Sequence, residues 1–162
     1  PEPPPLPPLT LPDVHRPGPE EVRFGALFGV ISGDMGLEEC MELLMAMLLM
    51  GMHHAAARAL DGIEERFPAK DRSVAERIDR AYLRAEIALM GHLSSEAQAV
   101  SEQALALLPL GEEEKKCFAY LHAEALRKAG RWDEARKAYS YVRDMDPSYR
   151  MVKSRLRELE EA

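Results

Sequence analysis

Three prolines, Pro68, Pro109 and Pro147, stand 41 and 38 residues apart, and each closes a stretch of helical patterning. A proline has no amide proton to give to the helix ladder and its ring clashes with the turn before it, so each of these residues stops a helix. Aligned on them, the chain repeats itself. Twelve residues before each proline lie Ala56, Ala97 and Ala135, and eight before lie Leu60, Ser101 and Tyr139. Five before lie Ile63, Ala104 and Val142, and twenty-four before lie Leu44, Ala85 and Ala123. Gly51, Gly91 and Gly130 fall where the two helices of each unit reverse. Self-similarity at such a period in a helical chain is the signature of stacked helix pairs. Alanine at a crossing lets two helices approach closely, and glycine carries the chain past a helix C-terminus.

Composition agrees. Aromatic residues make up 6% of the 162 residues, while Ala, Leu, Met, Glu and Arg abound. Those five are good helix formers, and the residues that favour strands are scarce, so the fold class is all-α. Ser73 with Glu76, and Ser95 with Gln98, have capping-box spacing, and Asp146-Pro147 reads as an N-cap followed by proline at the first helical position. The patterns predict helices near 37–50, 53–66, 73–90, 95–108, 112–129, 132–145 and 147–161. Another, at about 20–32, precedes them, with Gly25 and Gly29 allowing a neighbour to approach. The expected organisation is a Pro-rich arm or linker at 1–19, a leading helix and Gly-rich turn at 20–36, and a repeat domain at 37–162. Within that domain the units are 37–68, 73–109 and 112–147, closed by a helix at 147–161.

Nine of the twelve prolines fall in Pro1 to Pro19, a stretch of polyproline character with no means of forming a core. It reads either as a linker or, because it carries Leu6, Leu9, Leu11 and Val14, as an arm packed on this chain or a neighbour. The sequence does not begin with Met, so the chain is expected to be a fragment or a processed protein, with any signal or anchor upstream. The longest apolar run, Leu43 to Met52, is too short to span a bilayer. Cys40 and Cys117 lie far apart in helical contexts and suggest neither a disulfide framework nor a metal knuckle. A reducing, cytoplasmic compartment is the expectation. The net charge of −7 argues against nucleic acid as a bulk partner. Residues 1–110 hold 9 basic and 17 acidic residues, whereas residues 111–162 hold 12 and 11. That asymmetry suits a basic patch near the C-terminus or simply a solvated helix face.

The third unit resembles the tetratricopeptide repeat family: Ala123, Leu126, Gly130, Trp132, Ala135, Tyr139, Val142 and Pro147 match its small-and-large signature in order. The second unit keeps Ala85, Ala97, Ala104 and Pro109 but has Ser101 where an aromatic is usual. The first keeps Leu44, Gly51, Ala56, Leu60, Ile63 and Pro68. The spacing departs from the family's 34 residues, with the extra residues falling between units, around Ala69–Ser73 and Leu110–Glu113. The resemblance implies a right-handed superhelix of antiparallel helix pairs, an α-solenoid with a C-terminal capping helix, whose first helices line a concave groove for a partner peptide or helix. Carried over residue by residue, the groove positions are Glu38, Met41, Met45, Leu48 and Leu49 in the first unit. The second contributes Asp79, Tyr82, Glu86, Leu89 and Met90, and the third Cys117, Tyr120, Glu124, Arg127 and Lys128.

Such a face runs from methionine-rich, through Tyr and Glu, to basic. It suits a ligand with apolar anchors at one end and a carboxylate near Arg127 and Lys128. The competing reading is that the methionines fill a core, or that the leading helix or the arm covers Met41 and Met45. The Lys and Asn pattern with which the family clamps chaperone-tail carboxylates is absent, since Met41, Met45, Tyr82 and Glu86 stand there.

No catalytic or metal constellation emerges, and no cofactor is expected. His53 and His54 are sequence neighbours whose rings diverge, whereas a helical metal pair sits four apart. Cys117 and His122 point to different helix faces. Gly25, Gly29, Gly33 and Gly36 lack the Gly-Lys-Ser/Thr ending of a phosphate loop, and Glu112–Glu114 suit a helix N-terminus. The expected function is therefore a protein–protein interaction module, an adaptor or scaffold and not an enzyme. The alternative is a small acidic chaperone shielding an apolar client segment, of the type III secretion kind. The expected partner is a protein, with no nucleic acid and no direct membrane contact, and homodimerisation through the apolar N-terminal third is open.

Overall fold

Helix-favouring composition and punctuation by Gly and Pro translate into a chain of helices. The computed structural model describes residues 18–161, with side chains except at residues 30 and 31, and the Pro-rich arm lies outside them. The helices are α1 (Pro19–Ile31), α2 (Leu37–Leu49), α3 (His53–Arg66), α4 (Val74–Met90), α5 (Ser94–Leu107), α6 (Glu112–Lys128), α7 (Trp132–Met145) and α8 (Val152–Glu161). Two short 3-10 turns, Ser32–Asp34 and Ala69–Asp71, lie between them, and no strand occurs among the described residues. None of these helices is long and apolar enough to cross a membrane.

The three helix reversals share one backbone. Met50, Gly91 and Ala129 end α2, α4 and α6, and the residue after each is left-handed: Gly51 at φ 72°, His92 at 59° and Gly130 at 75°. The next amide, of Met52, Leu93 or Arg131, then bonds back to Met47, Ala88 or Leu126 at 2.9, 2.8 and 3.0 Å. This is the 6→1 bond of a Schellman ending. The second unit corrects the sequence reading. Its left-handed residue is His92, seventeen before Pro109 as Gly51 and Gly130 are before their prolines, while Gly91 sits one position early in a conformation open to any residue.

α3, α5 and α7 each have 14 residues, and α4 and α6 each have 17. The different proline spacings must therefore arise in the connections. Residues 69–73 precede α4 whereas only 110–111 precede α6, and the three-residue excess equals the 3-10 turn Ala69–Asp71.

From α2 onward each helix packs chiefly on its neighbours in sequence, with α4 also meeting α6, whereas α1 packs on α3 rather than on α2. The proline-register positions are the core. Ala56, Ala85, Ala97, Ala123, Ala135, Leu44, Leu60, Ser101 and Tyr139 are all fully buried. α6 serves two clusters at once: Phe118, Leu121 and Ala125 join the core of the preceding helices, while Ala119, Ala123 and Leu126 join that of α7 and α8. A helix apolar on two faces must be covered on both.

α1 lies along α3. Gly25 faces Ala55, so a Cβ added there would sit 3.8 Å from the Ala55 Cβ, while Gly29 faces open space. The Glu21 carboxylate accepts from the Ala55 amide at 3.0 Å. It thus supplies the N-terminal cap that Met52, the residue before α3, has no side-chain oxygen to give.

Two expected helix starts are corrected. Ser73 and Glu76 do form a capping box, with both bonds at 3.3 Å. Ser95 and Gln98 do not: α5 begins at Ser94, and Gln98 instead bonds Glu102 and Arg131, each at 2.8 Å. Nor does Asp146-Pro147 open the last helix. Asp146 accepts from the Ser148 amide and hydroxyl at 2.9 and 2.8 Å, building a turn. Arg150 then takes φ 42°, and α8 begins only at Val152.

Candidate partner-binding face

α2, α4 and α6 carry the residues expected to form a binding face, and the structure gives them three different environments. On α2, Cys40, Leu44 and Met47 are fully buried, and Met41 and Leu48 are half-buried against that core. Turned outward at helical spacing are Glu38, Glu42, Met45 and Leu49. Met45 is 44% exposed and Leu49 85%, with Met50 beside them at 53%. Because α1 lies along α3, it leaves the side chains of Met45 and Leu49 in solvent. Any cover from the arm lies outside the described residues.

On α4, Asp79 is exposed, Tyr82, Glu86 and Met90 are half-buried, and Leu89 is buried. The Tyr82 hydroxyl donates to Glu86 at 2.8 Å. Burial and that carboxylate both push the Tyr82 phenol above its ordinary value. Glu38, Glu42 and Asp79 have no ion-pair partner among the described residues.

On α6 the expected groove residues are mostly committed within the chain. Tyr120 is buried and meets the rings of Tyr139 and Tyr149 edge-on, with centroids 5.7 and 5.8 Å away. Glu124 is buried and accepts from Tyr139, from Arg127 at 2.9 Å and from Arg155 of α8 at 2.9 Å. The Lys128 ammonium donates to the Leu89 carbonyl at 3.3 Å and so caps the end of α4. Arg127 and Lys128, expected to meet a ligand carboxylate, thus already have partners.

Sequence reasoning missed Arg150, which sits in the turn between α7 and α8. Its guanidinium lies over the rings of Tyr120 and Tyr149, 5.3 and 5.4 Å from their centroids. It also stands 3.6 Å from the Glu86 carboxylate, 3.5 Å from the Tyr82 hydroxyl and 3.8 Å from the Cys117 sulfur. Burial pushes the Cys117 thiol upward, against the pull of Arg150, so it is no activated nucleophile. Burial pushes the Tyr149 phenol up to about 12. Nothing local in the sequence marks Arg150, because its partners lie up to 68 residues away.

His53 and His54 open α3. His122 faces an amphipathic recess of about 450 Å³ lined by Leu105, Leu126, Lys137 and Tyr141, and its ring stands 3.8 Å from Glu102. No three His, Cys, Asp or Glu side chains gather with metal-site geometry among the described residues. No family model matches the chain, and no curated protein matches it.

Proposed function

We propose that this chain is a protein–protein interaction module, an adaptor or scaffold built as a tetratricopeptide-like superhelix, which holds a partner peptide or helix against α2, α4 and α6. The observation that carries the reading is α2 itself. A helix that only packed on a core would turn polar residues to water. α2 instead buries Cys40, Leu44 and Met47 and presents Met45 and Leu49, one turn apart, to solvent. Methionine and leucine at an exposed face supply adaptable apolar contact, which suits an apolar anchor on a partner. The module has no catalytic role on this reading, and neither nucleic acid nor a membrane is its ligand.

The same exposed end supports a second reading, a small acidic chaperone that shields an apolar client segment. A photo-crosslinking side chain placed at Leu49, and as a control at the exposed Lys153 of α8, tests both. Capture of one protein in cells from position 49 and not 153, abolished by Met45→Glu, is the expected result. A captured protein that is insoluble when made alone identifies the chaperone reading. Equal labelling at the two positions would remove the face as a binding site.

A further inference from the structure

The charge on the α2 and α4 stripes says what sort of partner fits. Along α2 the exposed order is Glu38, Glu42, Met45, Leu49, and along α4 the exposed Asp79 is followed by the half-buried Tyr82, Glu86 and Met90. The α2 stripe is acidic over its first half and apolar over its second, and the α4 stripe alternates carboxylates with Tyr82 before ending on Met90. A segment lying across both would meet carboxylates with one part and methionine or leucine with the other. The chain's own Arg150 already shows what meets one of these carboxylates, Glu86. It is a cation set over two tyrosine rings, beside Glu86 and within reach of the Tyr82 hydroxyl. Arginine suits such a place better than lysine, because its weakly hydrated planar guanidinium stacks on aromatic faces and forks onto carboxylates.

We propose that Tyr82, Glu86, Tyr120 and Tyr149 form a recognition site for an arginine side chain of the partner, occupied in the free chain by Arg150. The inference rests on the interaction-module reading and names the partner's chemistry: a basic segment with apolar anchors, whose arginine displaces Arg150. Three features make Arg150 a displaceable occupant. It sits in a turn, not a helix, and its side chain remains 36% exposed. It also holds a left-handed backbone at φ 42°, which L-residues, unlike achiral glycine, disfavour. A partner arginine needs no such backbone. The opposite arrangement, a partner carboxylate at Arg127 and Lys128, would have to share cations that already serve Glu124 and the Leu89 carbonyl.

The test selects a displayed library of random peptides on the whole chain, with Met45→Glu/Leu49→Glu as counter-selection, and measures the winners by fluorescence anisotropy. The expected winners carry arginine with apolar residues. Replacing that arginine by alanine weakens them at least tenfold, and replacing it by lysine weakens them severalfold. Glu86→Gln weakens them as well, whereas Arg150→Ala, which vacates the site, tightens them severalfold. Arg150→Gly adopts the left-handed turn readily and serves if the alanine variant unfolds. Winners that depend on the face but are acidic or uncharged overturn the arginine site and leave the interaction reading standing. Arginine peptides that bind a folded Arg150 variant no more tightly than the parent also overturn it. If no winner depends on the face, the interaction reading fails and the arginine site fails with it.

Discussion

The Tyr139 hydroxyl of α7 donates to the buried Glu124 carboxylate of α6, and Arg155 of α8 reaches the same oxygen. One acidic side chain thereby joins the last three helices. Burial alone would raise the Glu124 carboxyl. The bonds from Arg127 and Tyr139, with the charges of Arg127 and Arg155, outweigh that and hold it below the ordinary value of 4.5. Glu124→Ala strands the buried Tyr139 hydroxyl and two half-buried guanidinium donors, so we expect a loss of about 3 kcal/mol in urea unfolding. Tyr139→Phe removes one donor and should cost about 1–2 kcal/mol.

The same carboxyl gives an acid limb. A depressed folded value means the folded state prefers the ionised form, so its stabilisation is full above pH 4.5 and disappears as pH falls through the lower folded value. Urea midpoints of the parent should therefore drop more steeply below pH 4.5 than those of Glu124→Gln. Parallel slopes in the two proteins would show that Glu124 is not the titrating group.

His122 works in the same direction nearer neutrality. Burial lowers its pKa from the ordinary 6.5, Glu102 opposes that, and Arg131 adds to it. The unfolded chain then binds the proton more readily, so stability is full above pH 6.5 and declines as the pH falls toward the folded value. His122→Gln should flatten this decline between pH 7 and 5. A proton titration of the imidazole by NMR, centred at or above 6.5, would contradict it.

Gly130 isolates the backbone term of a helix reversal. It has φ 75°, and an added Cβ would meet nothing within 4 Å. Gly130→Ala should therefore cost about 1 kcal/mol through conformation alone, lowering the melting temperature without changing the far-ultraviolet spectrum.

α2 should respond oppositely on its two sides. Leu44 is fully buried, so Leu44→Ala is expected to cost about 2–5 kcal/mol. Leu49 is 85% exposed, so Leu49→Glu should change stability by no more than about 0.5 kcal/mol while abolishing partner capture. The tyrosines do not allow so clean a separation. Tyr120 is buried between Tyr139 and Tyr149, so truncating it reports on the core before it reports on binding.

Much of the fold was legible because its causes are local. Helix type, the stops at Pro68, Pro109 and Pro147, and the buried register of alanines follow from interactions within a turn or two of each residue. The candidate face was legible only in outline. The sequence placed Tyr120 and Glu124 beside Tyr82 and Glu86 on one type of helix face, and helical spacing cannot tell which of them a neighbour will cover. Glu42 was missed because a face one residue to the side looks equally good in a helix that is apolar nearly all round.

The sequence by itself determined that the chain is helical, where its helix pairs reverse and that the proline-register alanines face the core, since proline geometry and the 3.6-residue period act over a few residues. Only the tertiary structure decided that Glu21 caps α3, that Glu124 ties three helices together and that Arg150 leaves the helical path to lie against Tyr120 and Tyr149. Those contacts join residues 15 to 34 apart, except the Arg150–Tyr149 pair of neighbours. They exist because docked helices bring a charge and its partner into a place where water no longer competes for either.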